Sequence, residues 1–222
     1  MGRGSSKSGG RAAGGGGVNV TETRDMISAR DATNQAQVDE VLSVAKVMNQ
    51  KYGDDVAIEG SYQLAKIKSN GGGRVLGYYD SDGNIAMNEE VMNNMNLNAS
   101  YDAGTASGYH PSRGKHSAVY AVAAHETGHS LTENVRKKMG AKTYEEAATR
   151  IVDEARKTTK HRGNIKFARS ISEYATVSNA ETIAEAVSDV FCNGKRAKKE
   201  SHAVVNVIDN YLLGDKKSKK KK

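Results

Sequence analysis

Apolar residues recur at spacings of three and four through "DATNQAQVDEVLSVAKVMNQKYG" (residues 31–53). Val38, Val41, Leu42, Ala45 and Met48 fall on one helical face, and Gly53 supplies a stop. The period then changes. "VAIEGSYQLAKI" and "RVLGYYD" are rich in β-branched and aromatic residues and are separated by the turn-forming "SNGGG", which predicts two strands. "DSDGNIAMN" predicts a tight turn at Asp82-Gly83 and a short strand over 85–88, with a small helix at "EEVMNNMN". "ASYDAGTASGYHPSRGK", which holds the only proline, Pro111, reads as a loop. Helical periodicity returns from Ser117 to about Lys138. It continues at 143–160 with Thr143 as cap, at 179–191, and at 201–213. No internal repeat is present. This order predicts an α+β domain: a small mixed sheet, then an apolar helix, then a mainly helical second half.

Composition narrows the picture. Only 37% of the 222 residues are hydrophobic, Trp is absent and Phe occurs twice, so Ala, Val, Ile, Leu and Tyr must build the core. Cys192 is the only cysteine, which excludes an intramolecular disulfide and fits a reducing compartment. "MGRGSSKSGGRAAGGGG" has basic residues but no apolar segment behind them, unlike a secretory signal, and no apolar run reaches membrane-spanning length. A cytoplasmic protein is the expectation. Gly2 and Ser6 match the N-myristoylation pattern, a match that comes cheaply in a Gly/Ser-rich stretch.

The net charge of +7 belongs to the ends. Subtracting the +5 of "DKKSKKKK" and the +3 of Arg3, Lys7 and Arg11 leaves residues 18–214 at −1. The expected organisation is a disordered Gly/Ser-rich tail over 1–20, one domain over 21–214, and a disordered Lys-rich tail over 215–222. Binding of nucleic acid or an anionic surface would fall to the lysine tail alone.

"AVAAHETGHSL" (121–131) carries the candidate chemistry. Residues four apart on a helix share a face, so His125 and His129 can offer ring nitrogens to one tetrahedral Zn²⁺. Glu126, one residue past the first ligand, can reach a metal-bound water as general base. Gly128 costs about 1 kcal/mol of helix propensity relative to Ala, and is read here as leaving room near the metal. A third ligand is required. Thr132 and Val135 stand where the extended metzincin pattern needs Gly and His, so that class is excluded. A gluzincin-type arrangement would instead draw a glutamate from a later helix. "SEYATVSNAETIAEAVSDV" offers Glu181, with Glu185 four residues on to accept the N–H of a ligand histidine. Two exposed acidic residues on an ordinary helix would show the same spacing.

"HETGH" followed some fifty residues later by Tyr174, Glu181 and "AEA" at 184–186 resembles the peptidase domain of anthrax lethal factor and the related bacterial Pro-Pro endopeptidases. The resemblance is specific over 125–129 and 171–189, loose over about 74–213, and absent before that. It implies a zincin-like metallopeptidase domain with one Zn²⁺ held by His125, His129 and Glu181. It also implies Glu126 as base and Tyr174 as hydrogen-bond donor to the oxyanion. "GYYDSDGNIAMN" resembles the turn and edge strand that precede the active-site helix in many zinc peptidases, where an extended substrate can add as a strand. Similar small domains occur in proteins of bacteriophages and integrated elements, which suggests such an origin. The expected activity is zinc-dependent endoproteolysis of a peptide or protein substrate. The alternative is an inactive, zinc-stabilised structural or virion-associated protein, which would need the ligands but not Glu126 or Tyr174. His110 and His116 are read as polar loop residues near the cleft mouth, and His161 and His202 as helix caps or decoration. Cys192 is read as a core residue without a base to make it a nucleophile.

Overall fold

The computed structural model describes residues 11–12, 19–27, 35–53, 62–70, 76–79, 85–88 and 96–219. Five strands, β1 (Arg11–Ala12), β2 (Asn19–Ile27), β3 (Tyr62–Asn70), β4 (Gly77–Tyr79) and β5 (Ile85–Asn88), form one sheet in the order β1-β4-β5-β3-β2. The sheet is mixed. β3 runs parallel to β5, with Tyr62 opposite Ile85, and the other neighbours are antiparallel. The β4–β5 pair sets Tyr79 opposite Ile85, and the turn read at Asp82-Gly83 lies outside the described residues.

Among the described residues there are seven α-helices: α1 (Gln35–Tyr52), α2 (Leu97–Ala106), α3 (Ala118–Met139), α4 (Tyr144–Thr158), α5 (Asn164–Ile171), α6 (Asn179–Asn193) and α7 (Lys199–Lys219). The expected α+β class holds, with the helices dominant. α3 is the axis of the molecule. It packs on α6 most extensively, and on α1, α4, α7 and the β4–β5 pair. Every residue from Ala118 to Thr132 is buried. One helix can be buried all round only where neighbours cover each face, and its run of Ala and Val lets them approach closely. α4 shows the opposite pattern. Ala147, Ala148, Ile151, Val152 and Ala155 are buried while the charged residues face out. Val41, Val44, Ala45, Met48 and Tyr52 of α1 join the same core, and the Tyr52 hydroxyl donates to Asp209 of α7 at 2.9 Å.

Local signals set the helix ends. Ser117 caps α3 by accepting from the Tyr120 N–H, and Gly140 ends it at φ 66° with Arg136, Lys137 and Lys138 in the last turn. Thr143 caps α4 as expected, accepting from the Glu146 N–H.

Three expectations change. The segment read as a loop at 99–115 begins as α2. Its Asn, Ser, Asp and Gly residues are loop signals, but Tyr101 packs into the core and the Asn98 side chain accepts from the Ala118 N–H at 2.7 Å. Tertiary contact here outweighs local propensity. Within the stretch read as a tail over 1–20, Arg11–Ala12 pairs with β4 and β2 begins at Asn19. At the other end α7 runs on to Lys219, into the lysine-rich stretch read as disordered. Of the helix expected at "EEVMNNMN", only Asn96 lies inside the described residues. The Gly2 and Ser6 match lies outside them. Among the described residues no helix is long and apolar enough to cross a membrane.

Candidate metal centre

The centre lies where α3 crosses α6. Gly128 explains the closeness of that crossing. A Cβ at this position would come within 2.7 Å of the Ala184 Cα and 3.3 Å of the Val187 Cβ. The glycine therefore leaves room for the backbone of α6, which corrects its reading as space beside the metal. The same crossing is held by the Ser188 hydroxyl, which donates to the Ala121 carbonyl at 2.9 Å.

Helix α6 begins at a cap that fixes its first acidic residue. The Ser178 hydroxyl accepts from the Glu181 N–H at 3.1 Å, so Glu181 sits at the third helical position, where the helix dipole favours a carboxylate. From there its Oε2 lies 3.1 Å from His125 Nε2 and 3.7 Å from His129 Nε2. Ligand atoms at tetrahedral corners about 2.0–2.1 Å from a zinc ion are about 3.3 Å apart. The two observed separations straddle that value, and the three atoms all fall within 4.8 Å of one another. All three residues are buried. His125 Nε2 and Glu181 Oε2 are enclosed with no hydrogen bond to satisfy them. Buried polar atoms are normally satisfied, so the pair calls for a cation between them. Two neutral imidazoles and one carboxylate form a donor set that suits a divalent transition metal. These residues can hold a metal ion.

The ring nitrogens facing away from this point are both tied. His125 Nδ1 lies 2.9 Å from Glu185 Oε1, and His129 Nδ1 lies 3.0 Å from the Tyr144 hydroxyl. Each Nδ1–H donates, which leaves each Nε2 as the lone-pair nitrogen turned to the site. Glu185 is itself held, since the Ser172 hydroxyl donates to its Oε2 at 2.7 Å. Ser172 also accepts from the Ala175 N–H, starting the 3-10 helix Tyr174–Val177 that carries Tyr174. The Tyr174 ring is buried, with its centroid 6.0 Å from that of His125. Glu126 is fully buried on the same turn of α3 as His125.

Electrostatics follow from this crowding. Burial opposes a charge on His125, but the carboxylates of Glu181 and Glu185 raise its pKa well above the usual imidazole value. Burial would raise the pKa of Glu185, yet the imidazoles of His110 and His125 bring it down to about 2. Glu181 is likewise held below the ordinary carboxylate value, chiefly by His129 and then His125, against its burial. A metal ion would displace the imidazole proton and keep both carboxylates charged.

No family model, no curated protein and no solved structure matches the chain. What the centre can do therefore rests on its own geometry.

All six residues singled out from the sequence, His125, Glu126, His129, Tyr174, Glu181 and Glu185, converge here. Three further residues were not singled out: Tyr144, Ser172 and His110. Tyr144 follows the Thr143 cap, and nothing in its spacing shows that the α3–α4 turn brings it back to His129. Ser172 precedes the 3-10 helix in a position any cap could occupy. His110 was read as a loop residue near the cleft mouth; it does lie on the α2–α3 loop, 3.6 Å from Glu185 Oε1. Two of the remaining histidines have partners away from the centre. His116 stacks on Tyr120 at 3.9 Å, and His161 pairs with the buried Glu200 at 2.8 Å. Cys192 is buried, which pushes its thiol up to about 12 and makes it a poor nucleophile.

Proposed function

We propose that this protein is a zinc-dependent endopeptidase with a zincin-like domain. One observation carries the reading. His125 Nε2, His129 Nε2 and Glu181 Oε2 face a single buried point, with Glu126 beside the first of them on α3. Bound zinc would supply a Lewis acid and a water more acidic than bulk water. In that setting the Glu126 carboxylate accepts the proton of the attacking water and returns it to the leaving amine. The Tyr174 hydroxyl donates a hydrogen bond to the oxyanion that develops on the substrate carbonyl. Glu185 and Tyr144 hold the two ligand imidazoles by their Nδ1–H groups, so the ligands need not reorganise when a metal binds. The resemblance of "HETGH" and the Tyr174–Glu181 spacing to the lethal factor and Pro-Pro endopeptidase group favours a peptide substrate over other acyl compounds.

The test is zinc content together with peptide-library cleavage, for the wild type and for Glu126→Gln. Both proteins are expected to carry one zinc per chain. The wild type cleaves, and the variant loses about 10²- to 10⁴-fold in kcat, the usual contribution of a general base. No zinc in the wild type sinks the reading. Zinc without cleavage in either protein would instead favour the inactive, zinc-stabilised structural protein.

A further inference from the structure

Glu185 is the hinge of the centre, because it orients His125. A glutamate carboxylate rotates easily about its last torsion, so it orients a ligand only if both of its oxygens are placed. Ser172 places Oε2. At Oε1 there are two imidazoles. His125 Nδ1 is at 2.9 Å and His110 Nδ1 at 3.6 Å. The second distance exceeds a hydrogen bond, so the bond itself belongs to His125. The His110 nitrogen is the next imidazole nitrogen at the same oxygen.

The His110 ring has little freedom. It stacks on Tyr101 with centroids 4.9 Å apart and planes 11° apart. Its centroid lies 4.6 Å from that of Tyr109 and 6.0 Å from that of Tyr174, both in edge-to-face arrangements. Gly104 makes room for it, since a Cβ there would come within 3.1 Å of His110 Cδ2. The backbone just before His110 is strapped to the segment that carries Tyr174. Gly108 turns at φ +79°, its carbonyl accepts from the Glu173 N–H at 2.9 Å, and the Tyr109 carbonyl accepts from the Tyr174 N–H at 3.2 Å. Thus His110 touches both the carboxylate behind His125 and the ring of Tyr174, although its segment lies on neither of their helices. A residue serving only to fill space there would have no use for a nitrogen at Oε1.

We propose that His110 is a positioning residue, whose Nδ1 fixes the Glu185 carboxylate and whose ring backs Tyr174, so that His125 and Tyr174 are held in one geometry. The inference rests on the metal reading above and extends it to a residue on the α2–α3 loop. It acts through Glu185 and makes no contact with the metal itself.

The experiment uses the full chain and measures Zn²⁺ affinity by chelator competition and the visible spectrum of the Co²⁺-loaded protein, with thermal melting of the metal-free form as control. Three variants separate the roles of His110. His110→Phe keeps the ring and removes the nitrogen. His110→Asn puts an amide nitrogen where Nδ1 lies, and His110→Gln puts one nearer Nε2. The expected result is a Zn²⁺ affinity about tenfold weaker and an altered Co²⁺ spectrum for the Phe and Gln variants, the lower range for losing a partner behind a ligand. His110→Asn is expected to restore both readouts. If Phe and Gln bind Zn²⁺ as the wild type does, with the same Co²⁺ spectrum, His110 is a packing residue and the inference is overturned. If His110→Phe fails to fold, the Asn–Gln pair decides: equal affinities overturn the inference, and a loss in Gln alone supports it. A wild type that binds no Zn²⁺ removes the metal reading itself, an outcome visible before any variant is made.

Discussion

Helix α6 carries three buried acidic residues, and two of them are built in opposite ways. Asp189, near its C-terminal end, has every oxygen answered from within the protein. Its Oδ1 accepts from Asn193 at 2.9 Å, and its Oδ2 accepts from the Lys198 N–H at 2.9 Å and from the Ser201 hydroxyl at 2.6 Å. It joins the end of α6 to the start of α7. Glu181, two turns earlier, leaves Oε2 enclosed without a hydrogen bond and pointed at two imidazole nitrogens. Both carboxylates are 3% exposed, so burial does not distinguish them. Satisfaction does. A saturated buried carboxylate spends its binding capacity on the fold, whereas one left open beside two lone-pair nitrogens has capacity for a cation.

The comparison is tested hardest by removing each carboxylate in turn. For Glu181→Ala the expected loss of Zn²⁺ affinity is more than about 100-fold, beyond the range for partners behind a ligand. The thermal stability of the metal-free form should hardly fall, since two enclosed histidines lose a contact and no network collapses. Chelator competition and calorimetric melting read the two quantities. Asp189→Ala should do the reverse. It strands the Lys198 N–H and the Ser201 hydroxyl and lowers stability by about 3 kcal/mol, while molecules that remain folded bind Zn²⁺ normally. A denaturant titration with a metal assay on the folded fraction checks this, and a large loss of Zn²⁺ affinity in Asp189→Ala would erase the contrast.

Smaller substitutions sharpen it. Tyr144→Phe removes the acceptor of the His129 Nδ1–H and is expected to weaken Zn²⁺ binding by about tenfold, with little change in melting temperature. Ser178→Ala removes the cap of α6 and should lower stability by about 1 kcal/mol. Because the same hydroxyl fixes the turn that bears Glu181, Zn²⁺ affinity should follow slightly. A full stability loss with unchanged affinity would place the cap on the structural side of the comparison.

Much of this was legible in the residues because it is local. The His125–His129 pair and Glu126 follow from the pitch of one helix, and so does the Glu181–Glu185 pair on α6. Thr143 and the helix it caps, read over 143–160, are likewise short-range patterns, and both appear where periodicity placed them. The strand at 85–88 was marked by the turn read just before it. Helix α2 was misread for the same reason in reverse: its local signals are those of a loop, and packing of Tyr101 and the Asn98 side chain decides otherwise.

What only the tertiary structure decided is how those patterns meet. Periodicity places Glu181 and His125 on helix faces, but it does not say that α6 crosses α3 at Gly128 closely enough to bring a carboxylate oxygen within 3.1 Å of an imidazole nitrogen. Nor does it say that Tyr144, Ser172 and His110, from three other segments, supply the groups behind the ligands. Helical spacing is fixed by backbone hydrogen bonds a few residues apart and is written in the local sequence. Contacts between segments tens of residues apart depend on which faces pack and how closely, and for those the whole core has to be assembled.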